Sequence, residues 1–384
     1  MSGKKARVIA FYLPQYHPIP ENDQHWGKGF TEWTNVTKAK PLFRGHHQPN
    51  LPADLGFYDL RLQQIQIAQA ELARNAGIEG FCYWHYWFGG GKRVLEMPFQ
   101  RVLETGKPDY PFCLGWANHD WSTKTWQKGK TLQQDTTILK QEYPGEQDDI
   151  LHFQTMLPAF QDHRYIRVDG KLLFVVFDPK GMPDCGRFLT LWNHLAEQNG
   201  LKGFHFVALA ESVPRLDAGK LANLEQAVED CFAEYFAMGF DAIQSVNRKY
   251  AEIKTGGKLK KTFHGAVRRV SPGLVLDKYD YGKIVRNFYT SQDSKENVYP
   301  QLMAGWDRTP RSGRRAIIYY NRTPENFSVA VQQALRQVAH KQPEHRLIFL
   351  NSWNEWGEGA YMEPDLRYGT AFLDRLKQAL EPDR

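Results

Sequence analysis

Cysteine is scarce in this chain and its spacing is uninformative: the residues at 82, 113, 185 and 231 contain no CxxC pair. That argues against a disulfide framework and against a zinc site. Charge of one sign is also in short supply. The 49 basic and 43 acidic residues leave a formal charge of +6 on 384 residues, far from the concentrated basic face that nucleic acid requires. No run reaches the ~20 apolar residues of a membrane helix. The apolar run after the basic start, Val8 to Leu13, stops at Pro14 and is too short for a signal peptide. Free cysteines without an export signal favour the cytoplasm. No P-loop or GxGxxG follows an apolar run, and HExxH is absent, so neither a nucleotide cofactor nor a catalytic metal is expected. Internal repeats, low-complexity tracts and dividing linkers are missing too, so one domain is expected over residues 1–384.

Aromatic residues, by contrast, are abundant: 14% of the chain, with 11 Trp, 18 Tyr and 23 Phe. Such a supply suits a site that stacks on the flat faces of sugar rings, although core packing must claim many of them.

Short apolar runs alternate with helical spacing along the whole length. Strands are expected near 8–13, 80–86, 112–117, 172–177, 204–209, 240–243, 299–304 and 347–351. Helical patterns separate them, for example at 59–76, 147–163, 185–199, 219–236 and 324–341. Eight such units predict an α/β chain closed as a (β/α)8 TIM barrel. Two stretches exceed ordinary connections: a Pro- and aromatic-rich first βα loop from Pro14 to about Tyr58, and an insertion around 210–295. The insertion includes a basic segment, 248–269, with Lys254, Lys258, Lys260, Lys261, Arg268 and Arg269. Its ordinary reading is solvated surface; its sharper reading is a clamp in which Lys258, Lys260 and Lys261 hold an anionic group.

Chemistry-bearing residues collect where strands end, as barrel active sites do. The last strand runs into Asn351-Ser352-Trp353-Asn354-Glu355-Trp356-Gly357-Glu358-Gly359. Glycosidic bond cleavage normally uses two carboxylates, and Glu355 and Glu358 supply both from one loop. Aromatic walls would raise the pKa of the proton donor by desolvation. The expected substrate contacts are Trp26, Glu32 and Trp33 from the first loop, Tyr83, His85 and Trp87 from the second strand, and Asn118, Asp120 and Trp121 after the third. Trp306, Asp307, Asn354, Trp356 and Glu363 complete the set. Trp84, Tyr86 and Trp116 are further aromatics near the same strand ends; strand alternation sends about half of the 83–88 set into the core.

Several of these stretches, in order, resemble the WbsX-type proteins, relatives of glycoside hydrolase family 99 often encoded with bacterial polysaccharide and lipopolysaccharide biosynthesis. They are Ala10–Pro18, Trp26–Trp33, Gly80–Phe88, Gly305–Asp307 and Trp353–Gly359, and the likeness runs from about 7 to 373. Asn118-His119-Asp120-Trp121 departs from it, standing where relatives usually carry Asn-Glu-Asn-Trp. The resemblance implies a (β/α)8 fold and retaining endo-α-mannosidase chemistry on Glu355 and Glu358. It implies that Glu355 deprotonates the sugar 2-hydroxyl and that Glu358 is general acid, then base. The expected partner is an oligosaccharide or polysaccharide, anionic and lipid-linked forms included. A glycosyltransferase on the same scaffold and a glycan-binding scaffold without turnover are the alternatives.

Overall fold

A computed structural model of the chain describes residues 4–122, 137–213, 223–257, 267, 271 and 274–382. Eight strands form its centre: β1 (Arg7–Tyr12), β2 (Gly80–Trp87), β3 (Phe112–Trp116), β4 (Lys171–Val176), β5 (Phe204–Glu211), β6 (Ala242–Val246), β7 (Val298–Met303) and β8 (Leu347–Asn351). Each pairs in parallel with the next. β1 also pairs with β8, Ile9 opposite Phe349, and that closes the barrel. Closure leaves the barrel strands no free edge, and helices cover their outer face, which is why they read as near-continuous apolar runs.

The helices show the local reasons for their own formation. Pro324–Val338, between β7 and β8, starts with proline in its first turn and with the Thr323 side chain accepting from Asn326 N at 3.3 Å. Its buried residues, Phe327, Ala330, Val331, Ala334, Leu335 and Val338, recur at three and four positions and form one stripe. Among the described residues no helix is long and apolar enough to cross a membrane.

Three segments differ from the sequence pattern. The sixth strand is Ala242–Val246, starting two residues later than expected. Asp241 serves as its lead-in, accepting Phe206 N on its side chain at 2.9 Å, and the strand continues through the polar but fully buried Gln244 and Ser245. The first loop folds two short helices, Pro20–Trp26 and Glu32–Val36. The basic segment begins as a helix, Arg248–Gly256, whereas Lys258, Lys260 and Lys261 lie outside the described residues. Beyond it, Asp277–Asp280 pairs with Ile317–Tyr320 as a small parallel ribbon outside the barrel.

Much of the aromatic content is structural. Trp192 is fully buried, and Phe153, Phe160, Phe174, Phe188 and Phe204 surround its ring at centroid distances of 4.6–5.7 Å. Trp192→Ala is expected to cost about 3–5 kcal/mol, the range for truncating a large buried aromatic, measured by chemical denaturation. A loss below about 1 kcal/mol would contradict this packing.

Candidate active site

The strands end at a cavity of about 580 Å³ whose lining includes Phe11, Trp84, Tyr86, Trp121, Phe177 and Trp306 together with Glu355 and Glu358. It opens at the C-terminal ends of the strands. Its floor is made by inward-facing strand positions: Phe11 on β1 stacks on Trp84 of β2 at 4.7 Å, 4° from parallel, and on Phe349 of β8 at 5.4 Å.

One guanidinium organises the charges at its wall. Arg311 lies in a short helix, Thr309–Ser312, in the connection after β7. Its Nε and Nη2 donate to Oε1 and Oε2 of Glu32 at 3.0 and 3.2 Å. Nη2 also donates to Glu355 Oε2 at 2.8 Å, and Nη1 lies 2.7 Å from Glu358 Oε1. Three loops, after β1, β7 and β8, are therefore joined through a single cation. Asp307 N donates to Glu358 O at 2.6 Å and strengthens the joint between two of them.

Glycine makes this approach possible. A Cβ on Gly357 would sit 1.5 Å from Glu32 Oε1, so no side chain fits between the two catalytic candidates. Gly359 has φ +61°, and a Cβ there would meet the Asp307 backbone at 2.8 Å.

The two cavity carboxyls are driven apart electrostatically. Burial pushes Glu355 up to about 8; Arg311 opposes this, and the charges of Glu358 and Glu32 add to it. Burial would raise Glu358 as well, but Arg311, Arg308 and Arg248 together outweigh it and hold that group below its ordinary value. Glu32 is raised by burial against the pull of Arg311. This order favours one proton on the pair near neutral pH, on Glu355 rather than Glu358.

A family model described as "Glycosyltransferase WbsX" matches residues 8–376. The chain belongs to the WbsX family. An uncharacterized protein, WxcX, from Xanthomonas campestris pv. campestris strain B100 is 34% identical over 376 residues. That match covers 98% of this chain, which spans about half the length of the relative. Among solved structures, a "Glycoside hydrolase-like protein" superposes with TM-score 0.59 at 13% identity, covering 98% of this chain and 94% of the other. The GH99 endo-α-mannosidase from Bacteroides thetaiotaomicron superposes with TM-score 0.55 at 15% identity, covering 97% and 95%. This WbsX-family chain thus has a GH99-like TIM barrel.

The residues singled out from sequence divide into two groups. Glu355, Glu358, Trp121 and Trp306 line the cavity, and Glu32 reaches it through Arg311. The second strand requires a correction. Trp84 and Tyr86 face the cavity, whereas Tyr83, His85 and Trp87 face the helices. Tyr83 packs on Phe99, His85 Nε2 meets His152 Nε2 at 2.6 Å, and Trp87 donates to Asp148 at 3.0 Å. Burial keeps both histidines well below their ordinary range, so the pair is neutral packing. Alternation had the right period; the phase was inverted.

Other expected contacts are structural ties. Asn118 bridges the ends of β3 and β4, donating to Asp178 O and accepting from Asp178 N, both at 2.7 Å. Asp120, an exposed residue, accepts Gln141 N at 2.6 Å. Asn354 closes a reciprocal pair with the Leu13 backbone at 2.8 and 3.0 Å. Asp307 accepts from Gln48 Nε2 at 2.6 Å and lies 2.8 Å from His46 Nε2, tethering the first loop from a separate small hollow. Trp33 is packed among Tyr16, Tyr58 and Trp356, while Trp26 lies on Phe30, away from the cavity. Trp356 stacks on Tyr361 at 3.8 Å and donates to Glu363 at 2.6 Å. Glu363 accepts also from Tyr58 and Gln69, all neutral donors, and burial pushes it up to about 7.

Arg248, Arg308 and Arg311 were the residues missed. Arg308 and Arg311 belong to an arginine-dense run, 308–315, directly after Trp306-Asp307, and that density was the available signal. Among the described residues no group of three or more His, Cys, Asp or Glu is disposed to hold a metal ion.

Arg311→Met is expected to cost about 3–5 kcal/mol near pH 7, because it strands a carboxylate of Glu32 that is wholly buried. The carboxyl of Glu32 has a raised pKa in the fold. Loss of Arg311 lifts that pKa further, so the penalty is absent where Glu32 is protonated in both folded proteins and grows as pH rises above the wild-type folded value. Denaturation at a series of pH values should show the mutant gaining on wild type as pH falls. A pH-independent deficit would show that Glu32 is not the stranded charge.

Proposed function

We propose that the chain acts on a glycosidic bond of a bacterial polysaccharide or its precursor, as a retaining, endo-acting glycoside hydrolase. The observation that carries this reading is the Glu355–Glu358 pair, held unequally by Arg311 and Arg308 at the wall of an aromatic cavity. Aromatic faces suit sugar rings, and unequal carboxyls supply an acid and a base together. The fold shared with a GH99 endo-α-mannosidase agrees with it.

The proposed reaction uses the substrate as its own nucleophile. Glu355 as carboxylate takes the proton of the sugar 2-hydroxyl, and that oxygen attacks the anomeric carbon from the face opposite the leaving group. The bond to the leaving oxygen breaks as Glu358 protonates it, giving a 1,2-anhydro sugar. Glu358, now a carboxylate, takes a proton from water, which opens the ring at the anomeric carbon, and Glu355 returns its proton to O2. Two inversions give net retention.

These roles require the shared proton on Glu358 when the substrate is in place, whereas burial and the arginines favour it on Glu355. One proton on a coupled pair supports both arrangements. That charge order favours a second reading with the roles exchanged. The family description favours a further alternative, transfer from an activated sugar donor.

Replacement tests separate the roles. General acid–base groups contribute about 10²–10⁴-fold. Glu358→Gln should lose that much on substrates with poor leaving groups and far less on an aryl glycoside, whereas Glu355→Gln should be slow on both. Rescue of Glu355→Gln instead would establish the exchanged roles. Full activity in both variants would remove the pair from the chemistry. A 2-deoxy substrate should resist cleavage, and product configuration followed by NMR should be retained.

The pH profile follows from the pair. kcat/KM should fall as pH rises through about 8, where the shared proton is lost. On the acid side it should fall only below the ordinary glutamate range, where Glu358 gains a proton. Hydrolysis and transfer are separated by mass spectrometry on capsule and O-antigen fragments. Release without a donor supports hydrolysis, and products that appear only with an activated sugar support transfer.

A further inference from the structure

The cavity wall beside Glu358 carries cationic groups that its carboxylates do not satisfy. Arg248, the first residue of the helix after β6, lies over the Trp306 ring with its guanidinium carbon 3.8 Å from the centroid. The nearby acid, Glu211, is 3.9 Å from Arg248 and is engaged by Lys249 at 2.5 Å. Arg308 stands 3.3 Å from Glu358 Oε1. The atom that faces Glu358 is the buried Nε, and this ion pair lacks hydrogen-bond geometry. Both arginines line the cavity, and both side chains keep partial exposure, 25% and 32%. A further cavity cation, Lys180, is paired with Glu234, and Asp178 is occupied with capping the turn at Gly181.

Like charges crowd here in a way that a neutral sugar does not relieve. Glu358 supports the charge on Arg308, yet burial and the neighbouring cations Arg311 and Arg248 outweigh it and lower the pKa of that guanidinium. Arg248 rests over the Trp306 ring, and both residues line the cavity, so the stacking restrains the guanidinium at the cavity wall. Two partly exposed guanidinium groups side by side at the wall match the oxygens of a carboxylate or phosphate.

We infer that Arg248 and Arg308 form an anion-binding subsite, and that the glycan acted on carries an acidic group, a uronic acid carboxylate or a phosphate, on a sugar next to the reacting bond. The subsite rests on the glycan-acting reading above for its substrate, but binding of an anion does not.

The test uses the whole chain and two kinds of probe. Glucuronate, galacturonate and mannose 6-phosphate are titrated against glucose, galactose and mannose by calorimetry and saturation-transfer NMR. Inorganic phosphate is titrated separately by phosphorus NMR. Acidic sugars should bind at least about tenfold more tightly than neutral ones, with the gap narrowing in high salt. Arg248→Gln and Arg308→Gln should each erase most of that gap while leaving neutral sugars unchanged. Arg248→Lys should restore part of it, and melting temperatures verify that every variant is folded. Preference for uronates over the sugar phosphate, or the reverse, identifies the acidic group. Phosphate binding lost in both variants, with no sugar bound, keeps the anion subsite and overturns the glycan reading. Equal binding of acidic and neutral sugars, a preference unchanged in both variants, or no binding of any probe overturns the subsite.

Discussion

Burying three carboxylates against one another is unfavourable unless a cation is fixed among them, and Arg311 is that cation. Burial alone would weaken its charge, yet Glu32, Glu355 and Glu358 together raise its pKa. The arrangement is unequal by construction. Glu32 receives two of the guanidinium's donors and is the fully enclosed member, whereas Glu355 and Glu358 receive one nitrogen each and face the cavity. The acid that anchors the arginine is distinct from the acids available for chemistry. Glu363, only a few residues further on, shows the contrast: its carboxyl accepts from the neutral donors Tyr58, Gln69 and Trp356.

The barrel was legible because a strand with both faces covered leaves a nearly unbroken apolar run, and seven of the eight left one. The sixth was displaced because Gln244 and Ser245 are buried through hydrogen bonds; Ser245, for instance, donates to Asp293 at 2.5 Å. Composition cannot announce a polar strand whose partner lies 48 positions away. The Glu355–Glu358 loop was legible for a different reason: carboxylates between tryptophans at a strand end have few structural uses. The cations opposite them were hidden because an arginine in an arginine-rich loop looks like solvated surface. Only the fold brings Glu32 and Arg311, 279 positions apart, into contact.

The second strand shows how one lost bit of information redirects a site. Tyr83 and Trp84 are adjacent large aromatics, and the sequence alone contains no reason to prefer either for the interior. The deciding residue is on the neighbouring strand. Gly115 leaves the room that Trp84 occupies, since a Cβ there would lie 2.9 Å from its ring. The inward direction of β2 is thus set by a missing side chain on β3, while Tyr83 finds its place against Phe99 in a helix.

Gly357 lies between Glu355 and Glu358 in sequence and against Glu32 in space. The space for a side chain at position 357 is filled by a carboxyl that arrives from the other end of the chain. Positions 32 and 357 are therefore bound to one another as a lock is to its key, although neither side chain bonds to the other. A side chain at position 357 fits only if residue 32 is shortened at the same time. Shortening residue 32 in turn takes from Arg311 two of its hydrogen bonds, so the glycine, the glutamate and the arginine form one structural unit.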